Sequence, residues 1–480
     1  MEAINRLDKQ KAYNQKNRAL IMGTIIYAIG NLGTKFLSFL IVPLYTHYIV
    51  PSELGDYDLM TTTINLIAPF ITFQITDAAY RWMVGDEEYI EPCISQIYRV
   101  LILNSILVAA GICLINYFVP IYYCPYFIAI LILGRWQESL QKILRGLKRQ
   151  KLFATTGIVY TAVFVFLNLY KITVQHKGII ALLESSIIAP SVAIMFMLIA
   201  EERLRKFNLF DNNSKLLKQM FKYSIPLIPT TLNWWVINAS DRYIIKYFLG
   251  SYANGIYAVA YKFPTILSTI FQMFTTSWMD MVLSEKTQED IAEYYTGVFK
   301  YFYKIAFGLA ICIIPITKIV CFLILDESYL ESVNYIPFLY LGTVFQSFSS
   351  FFSIGYLRSK STIGAATTSV YGAIVNFVVN IVFINYIGLH AAAISTFLGF
   401  FVMWFIRVVQ TRKSLPIGIN WGDFLFRLAI SIAICFITIK SSLMINSLLF
   451  IVSTIYVLID NKNVIGSVMK KILAKITKCK

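Results

Sequence analysis

Long apolar stretches bounded by short polar segments recur along the whole 480-residue chain. A helix needs roughly 20 mostly apolar residues to cross about 30 Å of hydrocarbon. Fourteen such spans can be drawn: 19–43, 55–76, 99–119, 123–144, 153–171, 178–199, 221–244, 254–279, 299–325, 332–354, 362–384, 388–408, 421–440 and 441–460. The weakest are 55–76, rich in Thr and opened by acidic residues, and the near-continuous final pair. Thirteen is the rival count, and it would put the termini on opposite sides. The pattern predicts an all-α, polytopic membrane protein of about 14 helices. No polar segment is long enough for a soluble catalytic or nucleotide-binding domain, which argues against direct ATP hydrolysis.

Composition agrees, with 58% hydrophobic against 14% charged residues. A net charge of +16 could suggest a nucleic-acid partner, but topology explains it better. With the N-terminus inside, the basic residues outside the spans gather on the cytoplasmic side. The outside loops hold only Lys171, Lys177, Arg242, Lys246 and Lys440 of the 42 Lys and Arg. That bias favours an even span count with both termini inside, and it places the basic tail near anionic headgroups. The first 18 residues are polar and the apolar stretch after them is too long for a cleaved leader, so none is expected. The seven Cys are scattered, and His47, His176 and His390 fall far apart near outer ends, so no metal or redox centre is expected.

The chain carries a faint internal echo. LYTHYIVPSELGDYDL contains Gly55-x-Tyr57, and two hundred residues later YIIKYFLGSYANGIYAV contains Gly255-x-Tyr257. Each opens the second helix of its half, and each such helix ends near a Trp-Met pair, Trp82-Met83 and Trp278-Met279. Two six-helix lobes related by an axis along the membrane normal are one plan for alternating-access transporters. The divisions expected are 1–205, 206–413, two added helices in 414–460, and a basic tail, 461–480.

Ionisable groups at membrane depth are costly and face protein or a water-filled cavity. Lys35, Arg135, Lys262 and Lys318 lie well inside spans, Lys35 beside Asn31 and Arg135 three residues before Glu138. Asp77 and Arg81 are i,i+4 neighbours at the inner end of the second span, and Asp241 and Arg242 finish the seventh after Asn233, Trp234, Trp235 and Asn238. The acidic candidates lie nearer ends or beside a base, so a chamber lined this way would be net positive and suit an anion such as a pyrophosphate-linked lipid. Snorkelling to the headgroups is the plainer account of Arg81, Arg242 and Lys246, and a cavity the better one for Arg135 and Lys262. Asp77 and Asp241 are candidate coupling carboxylates, with pairing to Arg81 and Arg242 as the structural alternative. Pro69, Pro226, Pro229, Pro264, Pro315 and Pro337 mark places where helices could bend, above all the pair in SIPLIPTT.

Three stretches carry a likeness: GNLGTKFLSFLIVPLYTHYIVPSELGDYDL (30–59), SLQKILRGLKRQKLFA (139–154) and YSIPLIPTTLNWWVINASDRYIIKYFLGSYANGIYAVAYK (223–262). With these, the chain resembles bacterial polysaccharide biosynthesis flippases of the O-antigen and capsule type. Their superfamily also contains multidrug and toxin extrusion transporters and the lipid II flippase. The resemblance implies a 12+2 helix plan and an inner-membrane protein without enzymatic activity. Such a protein moves undecaprenyl-pyrophosphate-linked oligosaccharide to the outer leaflet by alternating access. Lys35, Arg135 and Lys262 would hold the pyrophosphate, and Asn31, Asn233, Trp234 and Asn238 would meet sugar. Asp77, Arg81, Asp241, Arg242 and Lys318 would serve gating or coupling. No cofactor is implied. The energy would come from a proton or sodium gradient or the membrane potential. The protein would act as a monomer, with a polymerase and a chain-length regulator as partners. The rivals are a cation exporter, which would want an acidic chamber, and a lipid II or teichoic-acid-type flippase. A ligase or polymerase would need a large external loop, and every outside loop here is short.

Overall fold

The computed structural model describes residues 39–85, 87–209, 213–284, 291–358 and 362–460. They form two compact units, one built on Asp56–Trp235 and the other on Val236 onward together with Val50–Gly55. In chain order the helices begin α1 (Val42–Tyr48), α2 (Pro51–Thr72), α3 (Ile75–Gly85), α4 (Ile90–Phe118) and α5 (Cys124–Gly146). They continue as α6 (Gln150–Thr173), α7 (Ile179–Ala200), α8 (Ser214–Ser224) and α9 (Leu227–Ala239). Then come α10 (Asp241–Ser284), α11 (Ile291–Ile324), α12 (Ile336–Arg358), α13 (Thr362–Ile387), α14 (Leu389–Gln410), α15 (Trp421–Lys440) and α16 (Leu443–Asp460). Within α10 two helical stretches meet at Gly250, whose φ of 85° suits a residue without a Cβ.

Among the described residues, eight helices are long and apolar enough to cross a membrane, or nine if α2 and the start of α3 are one span bent by 55°. The sequence pattern predicts fourteen, of which the first, 19–43, lies largely outside the described residues. Of the other helices, α1, α3, α8 and α9 are too short to cross alone, and three long helices carry polar groups. α5 carries Arg135, Glu138 and Lys142, α10 opens on Asp241-Arg242, and α12 carries Gln346 and a run of serines. A helix shielded from lipid by its neighbours need not be apolar all round. α12 is such a helix, with Leu341, Val344, Phe345, Phe348 and Phe351 fully buried.

Helices in hydrocarbon gain little from the hydrophobic effect and associate through close packing and polar contacts. In the first unit, Ile94, Ile97 and Leu101 of α4 pack with Leu140, Ile143 and Leu144 of α5 and with Leu216 and Met220 of α8. A second cluster joins Ile64 and Ile71 of α2 to Phe127 and Leu131 of α5 and Leu183 of α7. In the second unit aromatic rings do this work: Trp404 of α14 stacks flat on Phe424 of α15 at 4.9 Å, and Phe345 of α12 meets Trp404 edge-on at 5.3 Å. The last two helices are tied in by charge. Arg427 reaches Asp460 through two nitrogens at 2.8 and 2.9 Å and Asp423 at 3.1 Å, and Tyr303 of α11 donates to Asp423 at 2.7 Å.

The two echoed glycines face each other. A Cβ on Gly55 would run into the Ser251 carbonyl and lie 2.7 Å from the Gly255 nitrogen, and one on Gly255 would run into the Pro51 carbonyl. Asn254 donates to the Gly55 carbonyl at 2.7 Å across this crossing. The tyrosine two residues on makes a polar contact in each case, Tyr57 with Ser186 at 2.8 Å and Tyr257 with Asp241 at 3.0 Å. Gly255→Ala is expected to cost about 2 kcal/mol or more, because the obstacle is backbone and cannot rotate away. Gly297→Ala, where the new Cβ meets nothing within 4 Å, is expected to leave stability unchanged or slightly raised. Thermal denaturation of the two variants in detergent checks the contrast.

Candidate functional site

The site begins where a helix breaks. Between α2 and α3, Phe73 and Gln74 adopt φ of 45° and 55°, a left-handed conformation that two successive non-glycine residues rarely share. The break is held by side chains rather than by repeating helix bonds. Asn104 donates to the Ile71 carbonyl at 2.7 Å, the Gln74 amide donates to Thr72 Oγ1 at 3.2 Å, and Gln74 Nε2 donates to Thr231 Oγ1 of α9 at 3.1 Å. Trp235 of α9 donates from its indole nitrogen to the Thr62 carbonyl at 3.0 Å. Strained backbone of this kind tends to concentrate at functional sites. Here it opens onto a cavity of about 470 Å³ within the first unit.

Four helical segments line the cavity: α2 and its break (Asn65, Pro69, Thr72, Gln74), α3 (Thr76), α5 (Arg135, Glu138, Ser139, Lys142) and α9 (Thr231, Trp234, Trp235). The charges on α5 stand three and four residues apart and so share a face. Arg135 Nη1 donates to Glu138 Oε2 at 2.6 Å, Lys142 lies 3.5 Å from Glu138 Oε1, and Lys142 Nζ donates to Asp77 Oδ2 at 3.0 Å. The result is a chain of alternating sign. Of the charged groups that line the cavity, Arg135 and Lys142 are basic and Glu138 is acidic, and Asp77 extends the chain beyond the lining. One donor is left over: Arg135 Nε is buried with no acceptor among the described residues. With two indoles beside it, the cavity offers a guanidinium edge for an anion and flat apolar faces for a sugar ring or another extended group.

The sequence-derived candidates divide as follows. Arg135 and Trp234 line the cavity, and Asn233 is half-buried on the same helix as Trp234. Lys35 and Asn31 lie outside the described residues. Lys262 is exposed in the second unit. Asn238 accepts from Gln346 Nε2 at 3.1 Å. Asp77 pairs with Lys142 instead of Arg81, whose guanidinium lies 4.9 Å from the Tyr223 ring centre. Lys142 prevails because helix packing brings it to the carboxylate, which spacing along one helix could not reveal. Lys318 donates to the carbonyls of Thr438, Ile439 and Ser441 at 2.7–3.2 Å, closing the C-terminal end of α15.

Arg242 does not snorkel. It is buried, donates to the Asn238 carbonyl at 2.7 Å and lies 4.4 Å from the Tyr261 ring centre. Asp241 is 1% exposed and accepts from Thr396 at 2.8 Å, Tyr257 at 3.0 Å and Asn380 at 3.1 Å. Turned so that its nitrogen faces the carboxylate, the Asn376 amide adds a fourth donor at 3.1 Å. The sequence reading missed Gln74, Lys142 and Trp235 as lining residues. Lys142 was recoverable, since it follows Glu138 by four residues. No cluster of three or more His, Cys, Asp or Glu with metal-ligand geometry occurs among the described residues.

A family model described as a polysaccharide biosynthesis protein matches residues 20–282. An uncharacterised membrane protein of Methanocaldococcus jannaschii is 26% identical over 294 residues, covering 57% of this chain and 56% of that one. The chain thus spans about half the length of the curated relative it matches. Among solved structures, an inward-facing multidrug resistance MATE family transporter superposes with a TM-score of 0.62 at 14% identity, covering 86% of this chain and 100% of that one. The lipid II flippase MurJ in an inward closed conformation gives 0.60 at 14% identity over 92% of this chain and 100% of that one. A point mutant of the Vibrio cholerae MATE transporter VcmN gives 0.55 at 15% identity over 83% and 97%. At these identities the likeness is one of fold. With more than half of its length matched, the chain belongs to the polysaccharide biosynthesis protein family.

Proposed function

We propose that the protein flips undecaprenyl-pyrophosphate-linked oligosaccharide from the cytoplasmic to the outer leaflet of the bacterial inner membrane, by alternating access, in O-antigen or capsule synthesis. A hydrated, charged headgroup meets a large desolvation cost in hydrocarbon, so a protein path is needed and no covalent chemistry is. The observation that carries this reading is the cavity of the first unit, where the buried Arg135 Nε and the faces of Trp234 and Trp235 meet in a chain whose family match spans residues 20–282. Arg135, with Lys35, would hold the pyrophosphate, while Trp234, Asn31 and Asn233 would meet sugar.

In this reading twelve helices form two lobes, 1–205 and 206–413, with two more in 414–460 and a basic tail from 461. Both termini are cytoplasmic. A proton or sodium gradient or the membrane potential drives the cycle, with Asp77 and Asp241 as the carboxylates to test. The protein works as a monomer that hands its product to a polymerase acting with a chain-length regulator. The test is transbilayer movement of fluorescent undecaprenyl-pyrophosphate oligosaccharide in proteoliposomes, scored by a membrane-impermeant quencher. Movement above protein-free vesicles is expected. Its absence, together with efflux of a cationic dye, would transfer the reading to an organic cation exporter.

A further inference from the structure

Glu138 occupies one of the guanidinium nitrogens that an anionic ligand of Arg135 would use. Its Oε2 accepts from Arg135 Nη1 at 2.6 Å, the short distance of a charge-assisted bond. A phosphate oxygen can gain that edge of the guanidinium only by taking the place of the carboxylate. Glu138 has somewhere else to go. Its Oε1 already stands 3.5 Å from Lys142 Nζ, and its side chain is 45% exposed against 19% for Arg135, so it can move toward Lys142 without losing a cationic partner. The buried Nε of Arg135, with no acceptor among the described residues, gives an incoming phosphate a second donor that Glu138 does not use.

Resting on the flippase reading above, we propose that Glu138 is a tethered competitor for the substrate's diphosphate. It exchanges places with a phosphate oxygen on Arg135 and returns to speed release. The exchange is one of hydrogen-bond partners only, and no bond or proton is transferred. A carrier gains nothing from holding its cargo equally tightly at every stage. A carboxylate on the same helix face, always present at high effective concentration, lowers affinity and shortens the bound lifetime.

The sign of one substitution separates this role from a structural one. If Glu138 only positions Arg135, neutralising it loosens the guanidinium and weakens anion binding. If it competes, neutralising it strengthens binding. The measurement is isothermal titration of geranylgeranyl diphosphate, with geranylgeraniol as the blank, into detergent-purified protein. Wild type, Glu138→Gln, Arg135→Gln and the double variant are compared, with thermal unfolding as the check on folding. The expected result is binding about tenfold tighter in Glu138→Gln and about tenfold weaker in Arg135→Gln. The double variant is expected to match Arg135→Gln, because the competitor matters only while its guanidinium is present. In proteoliposomes Glu138→Gln should bind the fluorescent oligosaccharide lipid more tightly yet move it more slowly. Unchanged or weaker binding in folded Glu138→Gln, with wild type still binding the diphosphate, overturns the competitor and leaves the flippase standing. A wild type that ignores the diphosphate but binds ethidium, with Glu138→Gln losing that binding, overturns both.

Discussion

Arg135→Gln is expected to slow transbilayer movement of the oligosaccharide lipid by about tenfold to a hundredfold while leaving the protein folded. The size of the effect follows from what the side chain offers. A charge-assisted hydrogen bond contributes about 1.5–3 kcal/mol, and each 1.4 kcal/mol is a factor of about ten in binding. Glutamine keeps a polar group in the cavity but loses both the charge and the fork. Arg135→Lys should fall between, since an ammonium keeps the charge without the planar geometry. Arg149→Gln is the control in the same unit. Its exposed side chain pairs with the buried Glu201 at 2.6 Å and neither residue lines the cavity; the variant is expected to lose some stability, since that carboxylate is left unpaired, while movement per folded protein stays within about threefold of wild type. The measurement is the initial rate of loss of quencher-accessible fluorescence, normalised to protein in the vesicles. A folded Arg135→Gln that moves lipid at the wild-type rate would remove the guanidinium from the path and with it the main support for an anionic cargo.

Much of the helical frame was legible because lipid imposes it. The span drawn at 421–440 coincides with α15, and those at 388–408 and 362–384 lie within a few residues of α14 and α13. The proline pair of SIPLIPTT gave a real break, since α8 ends at Ser224 and α9 begins at Leu227. The echo of Gly55 and Gly255 also had physical content, for the structure packs one glycine against the other's helix. What escaped was tertiary. Nothing in ITFQIT announces the left-handed pair at Phe73 and Gln74, because neither residue is glycine or asparagine and the break is held by Asn104 and Thr231, far off in sequence. Asp77 was given its local neighbour Arg81 and found Lys142, 65 residues away. Arg407, at the end of the span drawn at 388–408 where the charge rule expects a basic residue to face the cytoplasm, is buried and donates to Thr368, Ser369 and the Ser349 carbonyl at 2.9–3.0 Å. The charge rule counts positions along the chain, and it cannot see which basic residue a neighbouring helix will cover.

Asp241 is where structure and transport can be separated by experiment. The sequence left it as either a coupling carboxylate or a partner of Arg242. In the structure its two oxygens take hydrogen bonds from Tyr257 of α10, Asn380 of α13 and Thr396 of α14, so one residue fastens three helices. Asp241→Ala is expected to destabilise the second unit by about 3–5 kcal/mol, the cost of removing one member of a buried, fully bonded charged network. Most of the protein should then fail to elute as a single species in detergent. Asp241→Asn keeps one acceptor and the volume, and it should remain folded with a smaller loss, although its amide nitrogen faces donors and must turn away from at least one of them. That variant carries the functional question. If the carboxylate serves only as a fastener, Asp241→Asn moves the oligosaccharide lipid with the same response to an imposed proton or sodium gradient as wild type. If its charge couples the gradient to movement, the folded variant still moves lipid down its concentration difference but loses the acceleration that the gradient gives. Asp241→Ala proving as stable as wild type would refute the fastening role, because Asn376 and Asn380 would lose this buried acceptor and Thr396 and Tyr257 would be left with the Ala392 carbonyl alone, at 3.0 and 3.5 Å.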